Sequence, residues 1–356
     1  MQRAMLYCVL GMGLFLQAHA QNTFNNRYDP LQQNRPDFAW GIEQTENDGF
    51  LVISVSPWSD SITYNAVITL TEINEFGVTL NVSRFVDVGY RNFPGWSNTS
   101  DRSSTGSIVF GGSRGYGGDP SMACIYVVDP NGVVLNQYVY GIPDYYWIGR
   151  QAKHTSDGGY VLVGDYTDID NVSVFLIKTD SNGEQEWVQT YGGPYNDYVG
   201  AVGLDGVGGY YLGGEYGTTS GNLDFWLKRV DGSGNQIWNR TWGSGYTEPN
   251  AHLETLADGH VVVASAWRWE NYNTGRSRLY MAKLDSADGS FIWQHYYGVA
   301  TVNTTFFAVK EVTPGGDLIA AGQAAAPGTA LDDRGVMLRT NSDGDSLWMR
   351  YYSYQS

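Results

Sequence analysis

Short apolar runs alternate with polar, glycine-bearing turns along almost the whole chain. The pattern is clearest between Asp157 and Gly193, DGGYVLVGDYTDIDNVSVFLIKTDSNGEQEWVQTYGG. It predicts a tight turn, a strand (YVLVG), a loop, a second strand (VFLI), another tight turn and a third strand (EQEWVQTY). The first two strands are apolar at nearly every position, as strands covered on both faces are. In the third, Trp187 and Tyr191 stand an even number of residues apart and so share a face. Asp-Gly and Asn-Gly pairs suit the joints, because glycine accepts the positive φ that tight hairpins need.

Looser copies of this stretch fill the chain. A turn glycine followed by a strand recurs at Gly49, Gly106, Gly159, Gly209, Gly259 and Gly316, with spacings of 57, 53, 50, 50 and 57. A second glycine, three or four residues after an Asp or Asn, recurs at Gly77, Gly132, Gly183, Gly234, Gly289 and Gly344. Eight residues beyond each stands an aromatic: Phe85, Tyr140, Tyr191, Trp242, Tyr297 or Tyr352. Trp187, Trp238, Trp293 and Trp348 precede it by four residues in the last four copies, where the first two carry Asn81 and Asn136.

Each copy reads as four strands, a to d, with tight turns joining a to b and c to d. A repeated four-stranded unit of ~50 residues, apolar on both faces, describes a β-propeller blade. The expected fold is therefore all-β, a β-propeller of six four-stranded blades, over residues 37–85, 94–140, 147–191, 197–242, 248–297 and 303–352. Burying each tryptophan against the next blade contributes up to ~5 kcal/mol, at ~200 Å² and ~25 cal/mol/Å². An open β-solenoid is the competing architecture. Phe24-x-x-x-Tyr28 resembles a lone strand d, so a truncated seven-bladed ring is a second alternative.

Composition agrees with many short strands. Glycine supplies 45 of 356 residues, and charged residues only 16%, against a usual ~25%. Residues 1–20 carry one charge, Arg3, then an apolar run and Ala18-His19-Ala20, which reads as an export signal cleaved before Gln21. Residues 21–356 then form the propeller, with no transmembrane helix expected. The formal charge of −16 becomes −17 once Arg3 is removed. Such a surface repels phosphate backbones, so nucleic acid is excluded as a partner. Only Cys124 remains in the mature chain, and no intramolecular disulfide can form.

The blade text resembles a repeat of secreted bacterial proteins, especially of the Bacteroidota, written DGGY-x-L-x-G…D-x-x-L-x-K-x-D-x-x-G-x-x-x-W-x-x-x-Y-G-G. The match spans residues 37–356 and is strongest over Asp157–Gly193 and Gly208–Gly243. The resemblance implies a fold and a location outside the cytoplasm rather than a reaction. Leu284-Asp285-x-x-x-Gly289-x-x-x-Trp293 is also similar to the tryptophan motif of quinoprotein blades. Those enzymes carry a calcium–quinone site, often flanked by vicinal cysteines, and Cys124 has no such neighbour.

Several constellations bear on chemistry. Gly111-Gly112-Ser113-Arg114-Gly115 matches G-x-S-x-G, but a nucleophile elbow needs a helix after the serine and YGGDPS cannot start one well. His154, His252, His260 and His295 show no zinc-ligand spacing. The Asp/Asn-x-x-Gly turns are too short to gather six oxygen ligands for calcium, and their side chains are expected to bond the turn backbone. Asp144, Asp197 and Glu248, with Asp37 and Asn303, fall in the d–a loops. They read either as a ring binding a cation or as carboxylates capping backbone N–H groups of a neighbouring blade. Lys178, Arg229, Lys283 and Arg339 recur two residues before the c–d turn and read as tethers between blades.

The copies differ most over Val86–Arg102, Ser113–Ala123, Ile142–Gly149 and Ala266–Arg278, all assigned to d–a or b–c loops. These carry the candidate binding residues Trp96, Tyr145, Tyr146, Trp147, Trp267, Trp269 and Tyr272. Loops on a rigid scaffold are the usual place for binding. The expectation is an exported, monomeric, non-catalytic module for a glycan or protein ligand, with no cofactor unless calcium sits at the loop carboxylates. A propeller-type carbohydrate hydrolase or lyase is the alternative, and would need two acids converging beside the aromatic loops.

Overall fold

The computed structural model describes residues 38–352 except 46, 60–63, 96–98, 117–120, 143, 169–170, 220, 250, 269–275, 303, 313–315 and 326–332. Residues 1–20, read as an export signal, and Phe24–Tyr28 lie outside the described residues, as do Asp37 and Asn303. The first sheet is β1 (Phe38–Gln44), β2 (Phe50–Ser59), β3 (Tyr64–Ile73) and β4 (Thr79–Phe85). The second is β5 (Arg91–Pro94), β6 (Ser100–Arg102), β7 (Ile108–Gly115), β8 (Met122–Val128) and β9 (Val134–Tyr140). The third is β10 (Tyr146–His154), β11 (Tyr160–Thr167), β12 (Val172–Thr179) and β13 (Gln185–Tyr191). The fourth is β14 (Tyr198–Leu204), β15 (Tyr210–Thr219), β16 (Asn222–Val230) and β17 (Gln236–Trp242). The fifth is β18 (His252–Thr255), β19 (Val261–Arg268), β20 (Arg276–Leu284) and β21 (Phe291–Val302). The sixth is β22 (Thr305–Glu311), β23 (Leu318–Ala325), β24 (Asp333–Thr340) and β25 (Ser346–Tyr352).

Each sheet is a meander in sequence order, so the chain is a six-bladed β-propeller of four-stranded antiparallel blades. It divides into two compact units, Met1–Asp168 with Ile177–Glu186 and Ile169–Leu176 with Trp187–Ser356. In the first, the core joins the first two blades through Leu51, Ile53, Ile68, Phe110, Tyr126 and Val128, with Phe110 and Tyr126 stacked at 4.8 Å. In the second, one core joins the fourth and fifth blades and another the fifth and sixth.

The repeated tryptophans work as the spacing implies. Trp238 lies over Gly289 of the next blade and donates from Nε1 to the Ser286 carbonyl at 2.9 Å. Trp293 does the same over Gly344, to Ser342 at 3.0 Å. In the second blade, which lacks the tryptophan, Tyr138 covers Gly183 instead. The aromatic four residues further on adds a bond: Tyr140, Tyr191 and Tyr297 donate their hydroxyls to the carbonyls of Gly183, Gly234 and Gly344.

Every second-anchor glycine has a positive φ, between 71° and 82°. The Asp or Asn before it accepts from backbone N–H groups within the turn, as Asp180 does from Asn182 (2.9 Å) and Glu184 (2.8 Å).

Three expectations need correction. At the a–b turn the positive φ belongs to Asp48, Gly106, Gly158, Gly208 (with Gly206 in the same turn), Gly259 and Gly316. Gly49, Gly159 and Gly209 are therefore one residue beyond it, where a Cβ would meet a strand-c carbonyl at 2.1–2.4 Å. At Gly158-Gly159 and Gly208-Gly209 the adjoining glycines conceal this shift, and at Gly49 the left-handed residue is an aspartate, Asp48. Second, the basic residues before the c–d turn pair within their own blades. Lys178, Arg229, Lys283 and Arg339 reach Asp157, Asp205, Asp258 and Asp317 of the a–b turn at 2.6–2.8 Å. Arg229 also crosses to the next blade, donating to the Ser286 carbonyl at 2.9 Å. Third, the divergent stretches are not all loop. The second blade's innermost lane is built from two pieces, β5 against Gly112–Gly115 and β6 against Ile108–Phe110.

Candidate binding face

In an antiparallel meander the a–b and c–d turns share one end of a blade, and the d–a and b–c connections share the other, here called the loop end. A shared irregularity of strand a sets the register there. Its pairing with strand b shifts between Gly149 and Gln151, Val199 and Ala201, and Phe306 and Ala308. Two residues before the shift stand Trp147, Asp197 and Thr304. Trp147 donates its backbone N–H to the Ser121 carbonyl and Asp197 to that of Val172, each at 2.8 Å. Glu248 makes the same bond to Leu223, also at 2.8 Å.

Asp197 and Glu248 are buried and perform one task. Asp197 accepts from the Gly193 N–H at 2.6 Å on one oxygen and from the Gly217 N–H at 2.8 Å on the other. Glu248 accepts from Ser244 at 2.9 Å and Arg268 at 2.8 Å. Each carboxylate thus staples its own d–a loop, four residues back, to its own strand b, twenty residues on. Burial pushes Glu248 up to about 7, although both N–H bonds favour its ionised form. Burial likewise raises Asp197. Lys228, also buried, is pushed down to about 8, with Asp197 opposing the shift.

Asp144 stands out of this register. It is exposed, at φ 86°, three residues before Trp147, which holds the equivalent place in the third blade. Counting back from the turn glycine cannot reveal this, because loop length varies while the bulge does not. Among the described residues no group of three His, Cys, Asp or Glu side chains is placed to hold a metal ion.

Of the candidate binding aromatics, Trp96, Trp269 and Tyr272 lie outside the described residues. Trp147 is buried, its ring stacked on Tyr166 at 5.2 Å. Trp267 is half-buried among Phe225, Tyr280 and Tyr296, with ring centroids 5.2–6.1 Å away. Tyr145 is half-buried, and Tyr146 is 47% exposed. Two further exposed aromatics lie outside the divergent stretches. Tyr195 and Tyr246 sit two positions before Asp197 and Glu248, in loops of ordinary length, and are 37% and 41% exposed. The available signal was the shared spacing, Tyr-x-Asp and Tyr-x-Glu.

The remaining motifs are structural. Gly111–Gly115 runs straight through β7, where a Cβ on Gly112 would meet the Phe93 carbonyl at 2.3 Å, so no elbow forms. His154 pairs with Asp101 at 3.0 Å, and burial pushes His252 down to about 4. His260 accepts from the Ser286 N–H at 3.2 Å, and His295 Nε2 lies 3.0 Å from the Asp343 carbonyl.

The chain matches no family model and no curated protein. Solved structures share its fold distantly. A eukaryotic initiation factor is 10% identical with a TM-score of 0.39, over 89% of this chain and 66% of its own. A quinohemoprotein alcohol dehydrogenase from Comamonas testosteroni is 10% identical with a TM-score of 0.48, over 88% and 61%. An α-L-arabinofuranosidase from Fusarium graminearum is 10% identical with a TM-score of 0.47, over 85% and 93%. The chain thus spans less than two thirds of the first two. At these values nothing about function follows from them.

Proposed function

We propose that the mature chain is an exported, non-catalytic binding module that presents its loop ends to a glycan or protein. The observation that carries this reading is the placement of exposed tyrosine. Of the six exposed tyrosines among the described residues, Tyr116, Tyr146, Tyr195 and Tyr246 stand at loop ends, while Tyr296 and Tyr352 lie on the outer strands β21 and β25. Tyrosine gives contact area at low entropic cost and keeps a polar tip, which is why it recurs in binding surfaces. The signal-like segment 1–20 supports export, and the acidity of the chain disfavours polyanionic ligands. Both oxygens of Asp197 and of Glu248 are committed to backbone N–H groups, which favours binding over acid–base hydrolysis.

The test is an array of oligosaccharides and extracellular proteins probed with the protein and with a variant carrying serine at all four tyrosines. Binding by the parent, lost in a variant with an unchanged unfolding midpoint, is expected. Equal binding by both, or cleavage of an arrayed glycan, would sink the reading.

A further inference from the structure

We propose that the loop end of the fourth blade is a subsite for an uncharged oligosaccharide, with Tyr195 and Tyr246 as the two platforms for sugar rings. This rests on the reading of the loop ends as a binding face and names the ligand class of one part of it.

The two tyrosines are linked by a continuous chain of contacts. Tyr195 lies against Gly217 of β15, so closely that a Cβ on the glycine would fall 2.6 Å from that of the tyrosine. One residue on, Thr218 accepts at Oγ1 from Asn222 Nδ2 at 2.9 Å, across the b–c hairpin. The carbonyl of Gly221, in the same hairpin, accepts from Thr247 Oγ1 at 3.0 Å. Thr247 adjoins Tyr246. One blade's d–a loop, its b–c hairpin and the next d–a loop therefore form one strip.

The strip is held from beneath. Asp197 ties the Tyr195 loop to Gly217, and Glu248 fixes the Tyr246 loop to Ser244 and Arg268. Neither carboxylate reaches the surface. Platforms ordered in advance lose little conformational entropy when a ligand arrives.

Its charge selects the ligand. In a chain of net charge −16, the exposed described residues of the strip carry no charge, from Pro194, Tyr195 and Asn196 through Thr218, Thr219 and Gly221 to Gly245 and Tyr246. The carboxylate beside them, Asp224, is half-buried and accepts from Asn222 Nδ2 at 3.3 Å. Tyrosine faces pack on the C–H faces of pyranose rings, while amide and hydroxyl groups exchange hydrogen bonds with sugar hydroxyls. A protein partner would instead be drawn by a larger apolar patch or by paired charges. The loop end of the third blade lacks this neutrality, since Asp144 and Asp168 are both exposed there.

The experiment probes the protein with neutral gluco-, manno-, galacto- and xylo-oligosaccharides beside sulfated and uronic-acid oligosaccharides of equal length. The strongest neutral binder is then titrated against the parent, Tyr195→Ala, Tyr246→Ala and Tyr146→Ala. Neutral chains are expected to bind in preference to charged ones. Tyr195→Ala and Tyr246→Ala should each weaken binding by about tenfold or more. Tyr195→Phe and Tyr246→Phe keep the platform and should retain most affinity, which separates a lost surface from a lost fold. Binding lost in Tyr146→Ala but unchanged in the other two would overturn the subsite and leave the binding face standing. A preference for charged chains, or arrayed proteins bound and no oligosaccharide, would overturn the subsite in the same way. No binding to any probe would remove both.

Discussion

The two ends of a blade face the same problem, backbone N–H groups left over where strands stop, and they answer it at different range. At the turn end the answer is local. Asn74, Asp129, Asp180, Asp231 and Asn341 each accept from N–H groups two and four residues on. At the loop end Asp197 and Glu248 reach four residues back and twenty forward, and Trp147 fills the same place with a stacked ring. A local device needs only one short motif, so five copies keep it, and the longer turn of the fifth blade divides the task between Asp285 and Asp288. A long-range device needs two loops to agree, and leaves the tips between its anchor points free to vary. That freedom is why four of the six exposed tyrosines among the described residues stand at loop ends.

The largest expected effect strikes the turn end. Asp205 is buried and accepts from Val207, from Gly209 and twice from the Arg229 guanidinium. Asp205→Ala strands a half-buried Arg229 and two N–H groups, and breaking such a pair costs about 3–5 kcal/mol. Urea unfolding should show that loss while ligand binding by the folded fraction stays unchanged. A loss below ~1 kcal/mol would mean that solvent replaces the aspartate, and that the turn end is less committed than its bonds imply.

At the loop end the expected effect depends on pH. Glu248 is raised from 4.5 to about 7 by burial. A carboxyl with a raised folded pKa adds stability that is full below the unfolded value and lost as pH climbs through the folded one. Between pH 4.5 and 7 this residue should therefore remove roughly 3 kcal/mol of stability, a shift of about two and a half pH units. The profile of Glu248→Gln, subtracted from that of the parent, isolates this contribution. Two parallel profiles would show that the N–H groups of Ser244 and Arg268 hold the carboxylate ionised, and that burial does not dominate.

The same contrast of range explains what the sequence made legible. Six blades could be read from glycines and tryptophans because each of those residues acts within a turn or against the next turn, at fixed spacing. The c–d turn is legible to the residue, since its glycine keeps a fixed place three or four residues after the Asp or Asn, even where Gly232 adds a second glycine to the turn. The a–b turn lies one residue before the expected glycine at Gly158-Gly159 and Gly208-Gly209, where either glycine could carry the positive φ, and at Asp48-Gly49, where the aspartate takes it. Asp144 was grouped with Asp197 on loop position alone. The feature that separates them, the bulge at Gly149, exists only in the pairing with β11. Trp147 looked like an exposed loop aromatic for a related reason, since nothing local announces the Tyr166 ring beneath it. Divergence between copies does not mark Tyr195 and Tyr246, because they lie in loops that do not depart from the repeat.

A pair of glycines tests the contrast with the chemistry of the change held constant. Gly289, in the fifth blade's c–d turn, has φ 71°, and Gly245, in a loop-end connection, has φ 86°. Both pay the same left-handed penalty when given a side chain, about 1 kcal/mol for alanine. Their surroundings differ. A Cβ on Gly289 would fall 2.8 Å from the Trp238 ring, and that indole is fixed by its bond to Ser286. Nothing lies within 4 Å of a Cβ on Gly245. Gly289→Ala should therefore cost about 2–4 kcal/mol, the overpacking adding to the backbone strain, and Gly245→Ala only about 1. Equal losses in thermal unfolding would mean that the tryptophan yields. The blades would then be joined by loosely fitted rings, and the turn end would owe its uniformity to backbone conformation alone.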